Sequence, residues 1–272
     1  MGIQCRVSNP IIPFLSTVQN SRDHRKICVI DGKVAFTGGV NLADEYANEI
    51  TRFGHWKDTA IMLKGDAVQS FTMLFLEMWA VNQMEPADCQ NYLTPKHVVP
   101  DPPHGYVIPY GDHPYDNENV GEEVYFHILN HSKKYVHIMT PYLILDSEMI
   151  TTLTRAAKSG IEVIIIMPHI PDKWYAFVLA HTYYKELIQA GVSIYEYTPG
   201  FVHAKVFVSD DDTATVGTIN LDYRSLYLHF ECGAYIYDHP VVADIEQDFQ
   251  ETLKKCQKIS LTEVENRPVT YK

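Results

Sequence analysis

The pattern His-x-Lys-x4-Asp-x6-Gly-x-x-Asn occurs twice in this chain. The first copy is His24, Lys26, Asp31, Gly38 and Asn41; the second is His203, Lys205, Asp210, Gly217 and Asn220. Matched spacing in two distant windows is a poor candidate for coincidence. It requires the chain to build one small structural unit twice. Each copy reads as strand, turn, strand. Ile27–Ile30 and Val206–Val208 are short apolar runs, with turn signals after them at Asp31-Gly32 and Asp210–Asp212. Val34–Thr37 and Thr213–Val216 return as second strands. Alternate residues of a strand share a face, so the His and Lys of each copy are expected to point the same way. The hairpin returns Asn41 and Asn220 toward the same end. One copy then offers an imidazole, a cation and an amide donor, a set suited to a tetrahedral phosphate anion. Gly38 and Gly217 are expected where a side chain would block close backbone approach.

At these residues the chain resembles the phospholipase D superfamily, whose signature is this doubled motif. The surrounding stretches narrow the resemblance to bacterial cardiolipin synthases. They are His24–Gly32, Thr37–Tyr46, His55–Thr59, Thr140–Tyr142, Gly200–Lys205 and Gly217–Ser225. The resemblance runs over almost the whole chain. It implies an α/β fold class: two phospholipase D-like α/β domains in pseudo-twofold arrangement, the first one incomplete. In the family, membrane-spanning helices and the first part of the first catalytic domain precede a strand like Gly2–Val7. The expectation is therefore a fragment or a late start, with a sheet edge that dimerisation or another chain would cover.

The implied activity is that of a cardiolipin synthase. A phosphatidyl group passes between two phosphatidylglycerol molecules through a phosphohistidine, and glycerol leaves. No cofactor and no metal are implied. The partners implied are phosphatidylglycerol, other phospholipid and a cell-membrane surface, held peripherally. Lys26, Lys205, Asn41 and Asn220 are expected to stabilise the nonbridging oxygens. Each His needs a partner that sets its tautomer. By resemblance Glu231 serves His203, and Asp58 is the candidate for His24. Asp31 and Asp210 complete the catalytic motif, with turn fixing as their preferred role. Family habit makes His24 the nucleophile and His203 the acid; the motif symmetry alone leaves those roles open. His229 departs from the family, which usually has Asn there, and is expected to alter hydrogen bonding around the second His. Two other readings stand beside the synthase: a phosphodiesterase acting on phospholipid or nucleic acid, and an inactive remnant or binding module.

Composition weighs on these alternatives. A formal charge of -12 argues against broad nucleic-acid binding, which relies on clustered Lys and Arg. It argues equally against simple attraction to anionic lipid, leaving a local positive pocket around Arg25, Lys26, Lys205 and Arg224. Five scattered Cys without a Cys-x-x-Cys pair suit reduced thiols facing a cytoplasm. Cys28, in the first motif strand, is expected in the core. No signal-peptide pattern and no apolar run of about 20 residues is present.

The chain divides into residues 1–85, the end of the first domain; 86–118, a Pro-rich connection; and 119–272, the second domain. In the first, a strand at Thr59–Leu63 precedes a helix over Ala67–Asn82. Phe71, Leu74, Phe75, Met78 and Trp79 on that helix form a stripe expected to pack in the core. Tyr106–Ile108 forms a short strand. The second domain alternates strands at Tyr135–Met139, Ile161–Met167, Val192–Tyr197 and Glu231–Tyr237 with helices near 121–130, 147–158, 174–189 and 241–255. His127 and His131 stand four apart on a helix, and a solvated face is favoured over a metal site. Tyr142 and Phe201 either line a lipid entrance or pack in the core.

Overall fold

The computed structural model describes residues 2–8, 21–81, 89–93 and 103–266. The first motif builds an antiparallel hairpin, β1 (Ile27–Ile30) and β2 (Val34–Gly38). After β3 (His55–Lys57), strand β4 (Ala60–Lys64) pairs with β2 to complete a three-stranded sheet. Helix α1 (Ala67–Val81) follows. Apolar residues of α1 and this sheet pack on the second half: Ala35, Leu63, Val68 and Phe71 form one buried cluster with Cys232 and Ala234.

The second half opens with β5 (Tyr106–Asp112), longer than the short strand expected. It is an edge strand, so Pro109 costs the ladder little. Next come α2 (Val120–His131), β6 (Tyr135–Met139), β7 (Leu143–Ile144) and α3 (Ser147–Lys158). Asp146 caps α3 by accepting from the Met149 amide at 2.7 Å. β8 (Glu162–Pro168) leads to α4 (Trp174–Ala190), which ends at Gly191 in the left-handed region (φ 103°). The chain continues through β9 (Ser193–Tyr197), β10 (Gly200–Val202), β11 (Val206–Ser209), β12 (Thr213–Gly217) and β13 (Leu221–Asp222). It closes with α5 (Tyr223–Tyr227), β14 (Glu231–Tyr237), α6 (Val241–Leu253), β15 (Cys256–Lys258) and α7 (Leu261–Asn266).

Eight of these strands form one mixed sheet in the order β15-β9-β8-β6-β11-β12-β14-β5. β6, β8 and β9 run parallel, joined by helical crossovers. The second motif hairpin, β11–β12, lies in the middle and is buried along nearly its whole length. Helices α2, α3 and α4 cover one face around Ile138, Leu153, Ile165 and Tyr184. Helix α6 covers the other, with Phe249 and Ile245 against Val208 and Ala214. This mixed α/β architecture is the fold class expected from the sequence.

Two core expectations are corrected. Cys28 is exposed, not buried. β1 is an edge strand whose Ile27 and Val29 face the shared core, so Cys28 and Ile30 face outward. The stripe on α1 is also displaced. The helix buries Val68, Phe71, Thr72 and Leu76, while Phe75 is exposed. Phe75 stacks on Trp79 with centroids 5.8 Å apart, and the Arg6 guanidinium lies 4.1 Å over the Trp79 ring. These rings cover one another on the flank of the helix instead of entering the core.

Candidate active site

Both motif histidines lie just before a hairpin strand rather than within it: β1 starts at Ile27 and β11 at Val206. Strand pleating therefore does not hold His and Lys together. A local contact does, since Lys26 Nζ donates to the His24 carbonyl at 2.5 Å and Lys205 Nζ donates to that of His203.

Two short pairings lace the halves together at this point. β3 and β10 run parallel, matching Gly200 with His55 and Val202 with Lys57. Any side chain at Gly200 would strike the His55 backbone 2.4 Å away. The next residues along the two strands are Asp58 and His203, and the His203 amide donates to the Lys57 carbonyl at 2.7 Å. On the other side, Asp23 bridges Phe230, and the His24 amide donates to the Phe230 carbonyl at 2.9 Å. The residue after Phe230 is Glu231. Each histidine is thus tied to the strand of the opposite half that carries an acid.

The acid–histidine pairs are crossed relative to the sequence expectation. His24 Nδ1 lies 2.8 and 3.0 Å from the two Glu231 oxygens, and His203 Nδ1 lies 2.9 Å from Asp58 Oδ2. Glu231 does not serve His203, and Asp58 does not serve His24. The two interleaved ladders are the physical reason, because they carry each acid across the boundary between halves. His229 is corrected with them. It stands beside the first His, with its ring centroid 5.5 Å from that of His24.

The residue after each motif glycine lies against one of these acids. Thr218 follows Gly217, and its hydroxyl donates to Glu231 Oε2 at 2.5 Å. Gly39 follows Gly38, and a Cβ there would sit 2.0 Å from Asp58 Oδ1 and 2.7 Å from the His203 carbonyl. Gly38 and Gly217 lie where expected, each with a neighbouring backbone carbonyl within 2.5 Å of a hypothetical Cβ. A second repeat also emerges. Trp56 stands two residues before Asp58 and packs on His203 at 5.3 Å, as His229 stands two before Glu231 and packs on His24. Trp56, Tyr46, Phe53 and Phe201 enclose the His203 side with rings. Phe201 is fully buried, so of its two readings core packing holds.

Electrostatics ties the two sets into one site. Lys205 acts on His24, and Lys26 acts on His203. Burial lowers the pKa of His203 to about 3; Lys205 adds to the effect and Asp58 opposes it. Burial also lowers His24, against the pull of Glu231. Burial would raise the Glu231 carboxyl, but the charge of His24 and its neighbours His229 and Thr218 hold it near 2. Burial brings the Lys205 ammonium down to about 7.

The remaining candidates divide. Asn41 Nδ2 donates to the Tyr46 hydroxyl at 2.6 Å and Asn220 Nδ2 to Ser225 Oγ at 3.0 Å. Both partners lie five residues after the motif Asn. Asn220 Oδ1 is buried without a partner. Asp210 is not among the site's side chains. Its carboxylate accepts the amides of Lys133, Lys134 and Tyr135 at 2.6–3.0 Å, and its backbone is left-handed (φ 54°). Asp31 holds the matching turn (φ 53°) and is exposed. Both hold the motif turns, the role preferred for them from the sequence, and Asp210 spends its carboxylate on backbone amides. Of the expected positive pocket, Lys26 and Lys205 belong to the site, whereas Arg25 pairs with Asp23 at 2.9 Å and Arg224 is exposed. His127 and His131 lie exposed with rings 4.1 Å apart, the solvated face expected. Sequence reading missed Tyr46, Trp56, Thr218 and Ser225. Superposing the two motif windows and reading past their ends gives Tyr46 and Ser225, each five residues after the motif Asn, whereas Trp56 and Thr218 have no like residue at the matching offset.

Residues 125–253 match the family described as "Cardiolipin synthase, PLD-like domain". The chain is 37% identical over 268 residues to a cardiolipin synthase of Geobacillus kaustophilus, covering 98% of this chain and 53% of that protein. The chain belongs to the phospholipase D superfamily. It is also 56% identical over 273 residues to an uncharacterized protein of Streptococcus mutans, covering all of this chain and 59% of that one. The chain thus spans a little over half the length of these relatives. Among solved structures, a phosphatidylserine synthase of Haemophilus influenzae superposes with a TM-score of 0.69 at 17% identity, over 90% of this chain and 64% of that one. That likeness supports the fold. As a phospholipase D-superfamily member, the chain has its two motif copies as the candidate catalytic sets. No helix among the described residues is long and apolar enough to cross a membrane.

Proposed function

We propose that this site performs phosphatidyl transfer of the cardiolipin synthase type, joining two phosphatidylglycerol molecules at a membrane surface and releasing glycerol. The observation that carries the reading is the crossed pair of Nδ1–carboxylate contacts, 2.8 Å at His24 and 2.9 Å at His203. A carboxylate at Nδ1 keeps the proton there and leaves the Nε2 lone pair for chemistry. Two such imidazoles suit a double displacement. One attacks phosphorus and forms a P–N bond. The other gives its proton to the departing glycerol oxygen, then takes one from the incoming hydroxyl as the P–N bond breaks. Lys26, Lys205, Asn41 and Asn220 balance charge on the nonbridging oxygens.

Burial favours the reverse of the family's role order. The His203 side chain is 7% exposed among aromatic rings and resists protonation, which suits a neutral nucleophile. Burial lowers His24 as well, but its side chain is 25% exposed and faces the ionised Glu231, which makes it the readier of the two to carry the acid's proton.

The test is incubation with phosphatidylglycerol in mixed micelles, following lipid products and glycerol. Cardiolipin and glycerol, both lost in His203→Ala, are expected. Phosphatidic acid as sole lipid product would replace the transferase with a phospholipase D. Product formation undiminished in His203→Ala would overturn the site.

A further inference from the structure

The two halves differ in the ring that precedes each acid by two residues. In one it is an indole, Trp56; in the other an imidazole, His229. Only the second can ligate a metal. The donor nitrogens of His24 and His229 and a Glu231 oxygen all lie within 4.8 Å of one another. Glu231 Oε1 is 2.8 Å from His24 Nδ1 and 3.7 Å from His229 Nδ1. His229 Nδ1 is buried and has the Glu231 carboxylate as its polar neighbour, at a distance too long for an ordinary hydrogen bond. It is turned toward a carboxylate that is completely buried.

We propose that His24, His229 and Glu231 form an inhibitory site for a zinc-type divalent cation. Two imidazoles and one carboxylate are a common zinc donor set, with ligand distances of about 2.0–2.2 Å. Tetrahedral bonds of that length put donor atoms about 3.3 Å apart. The 2.8 Å contact must therefore open by roughly half an ångström and the 3.7 Å contact close by slightly less. The Thr218 hydroxyl on Glu231 Oε2 supplies the outer hydrogen bond that orients a ligating carboxylate. The His203 side offers Asp58 and Trp56, with no third donor at the matching position.

The consequence is chemical. The cation takes the place of the proton on His24 Nδ1, and that proton moves to Nε2. The Nε2 lone pair is lost. A metal-bound neutral imidazole neither attacks phosphorus nor accepts the proton of an incoming hydroxyl. Inhibition rests on the proposed transferase reading, whereas binding of the cation does not.

The experiment measures Zn2+ by competition with a chromophoric chelator, using the full chain, His229→Asn and the double variant His127→Ala/His131→Ala. Expected are one Zn2+ per chain, at least tenfold weaker binding in His229→Asn, and no change in the double variant. X-ray absorption of the zinc-loaded unmutated chain gives a readout independent of how the variants fold, with two imidazoles and an oxygen donor expected. Equal affinity in His229→Asn, a sulfur ligand, or fewer than two imidazoles overturns the proposal. Zinc bound at this site with phosphatidyl transfer unimpaired overturns the inhibitory role. A chain without transferase activity still reports on zinc, so the two readings fail separately.

Discussion

Asp58, in the first half of the chain, holds the Nδ1 of His203 in the second at 2.9 Å. The reciprocal contact runs from Glu231 to His24. Each motif histidine meets a carboxylate from the other half of the chain, and under the proposed reading that acid sets its tautomer. Asp58→Asn and Glu231→Gln should each lower turnover by a factor on the order of 10²–10⁴, the effect of a mis-set imidazole tautomer. Single-turnover assays of both variants check this. Rates within twofold of the unmutated chain would show that the contacts do not set the tautomers.

Gly39 is required by proximity. A methyl group there would fall 2.0 Å from Asp58 Oδ1 and 2.7 Å from the His203 carbonyl. Gly39→Ala should cost about 1–3 kcal/mol of stability through overpacking and displace Asp58 from His203. Urea unfolding and phosphatidyl transfer measure the two effects. Unchanged values for both would mean that the Asp58 loop yields freely.

Acid should weaken the fold. His203 has its pKa lowered to about 3 in the folded chain from an ordinary 6.5, so between these values the unfolded state binds more protons. Its contribution is present above pH 6.5 and is lost as pH falls toward 3. Glu231, lowered to about 2, adds a loss in the same direction below its ordinary value of 4.5. The slope for one group is at most about 1.4 kcal/mol per pH unit. Melting temperatures between pH 7 and 5 should fall, and fall less in His203→Gln. A flat profile would contradict the burial of a neutral imidazole.

Anion binding should take up protons. Free Lys205, lowered to about 7 by burial, is largely neutral at pH 8. A phosphate oxyanion beside it favours the ammonium and raises its pKa. Titration calorimetry with inorganic phosphate at pH 8, in buffers of different ionisation enthalpy, should show net uptake by the protein. Proton release, or no buffer dependence, would place the anion away from Lys205.

Asp210 should matter to stability and not to turnover. Its three amide hydrogen bonds tie the second motif turn to the start of β6. Asp210→Ala removes that acceptor from donors that water can reach and should cost about 0.5–1.5 kcal/mol. Turnover per folded molecule, from assays below the unfolding midpoint, should match the unmutated chain. A hundredfold loss would return Asp210 to the chemistry.

The sequence by itself determined the repeated unit, its apolar strands and turns, and most of the helices. Those features are local: Ile27–Ile30 and Tyr135–Met139 carry their own hydrophobic pattern, and Gly191 ends α4 through its own left-handed backbone. It also named the motif histidines, lysines and asparagines and the acids Asp58 and Glu231, but not the rings and hydroxyls of Tyr46, Trp56, Thr218 and Ser225 around them. Tertiary structure alone decided which acid meets which histidine. That choice depends on the parallel pairing of β3 with β10 and on the bridge between Asp23 and Phe230. Both join segments far apart in the chain through backbone hydrogen bonds, which leave no side-chain periodicity to read. The burial of Lys205 and His203, and so their charge states, was equally hidden. Desolvation depends on what the other half of the molecule places around a group, and nothing adjacent in sequence records it.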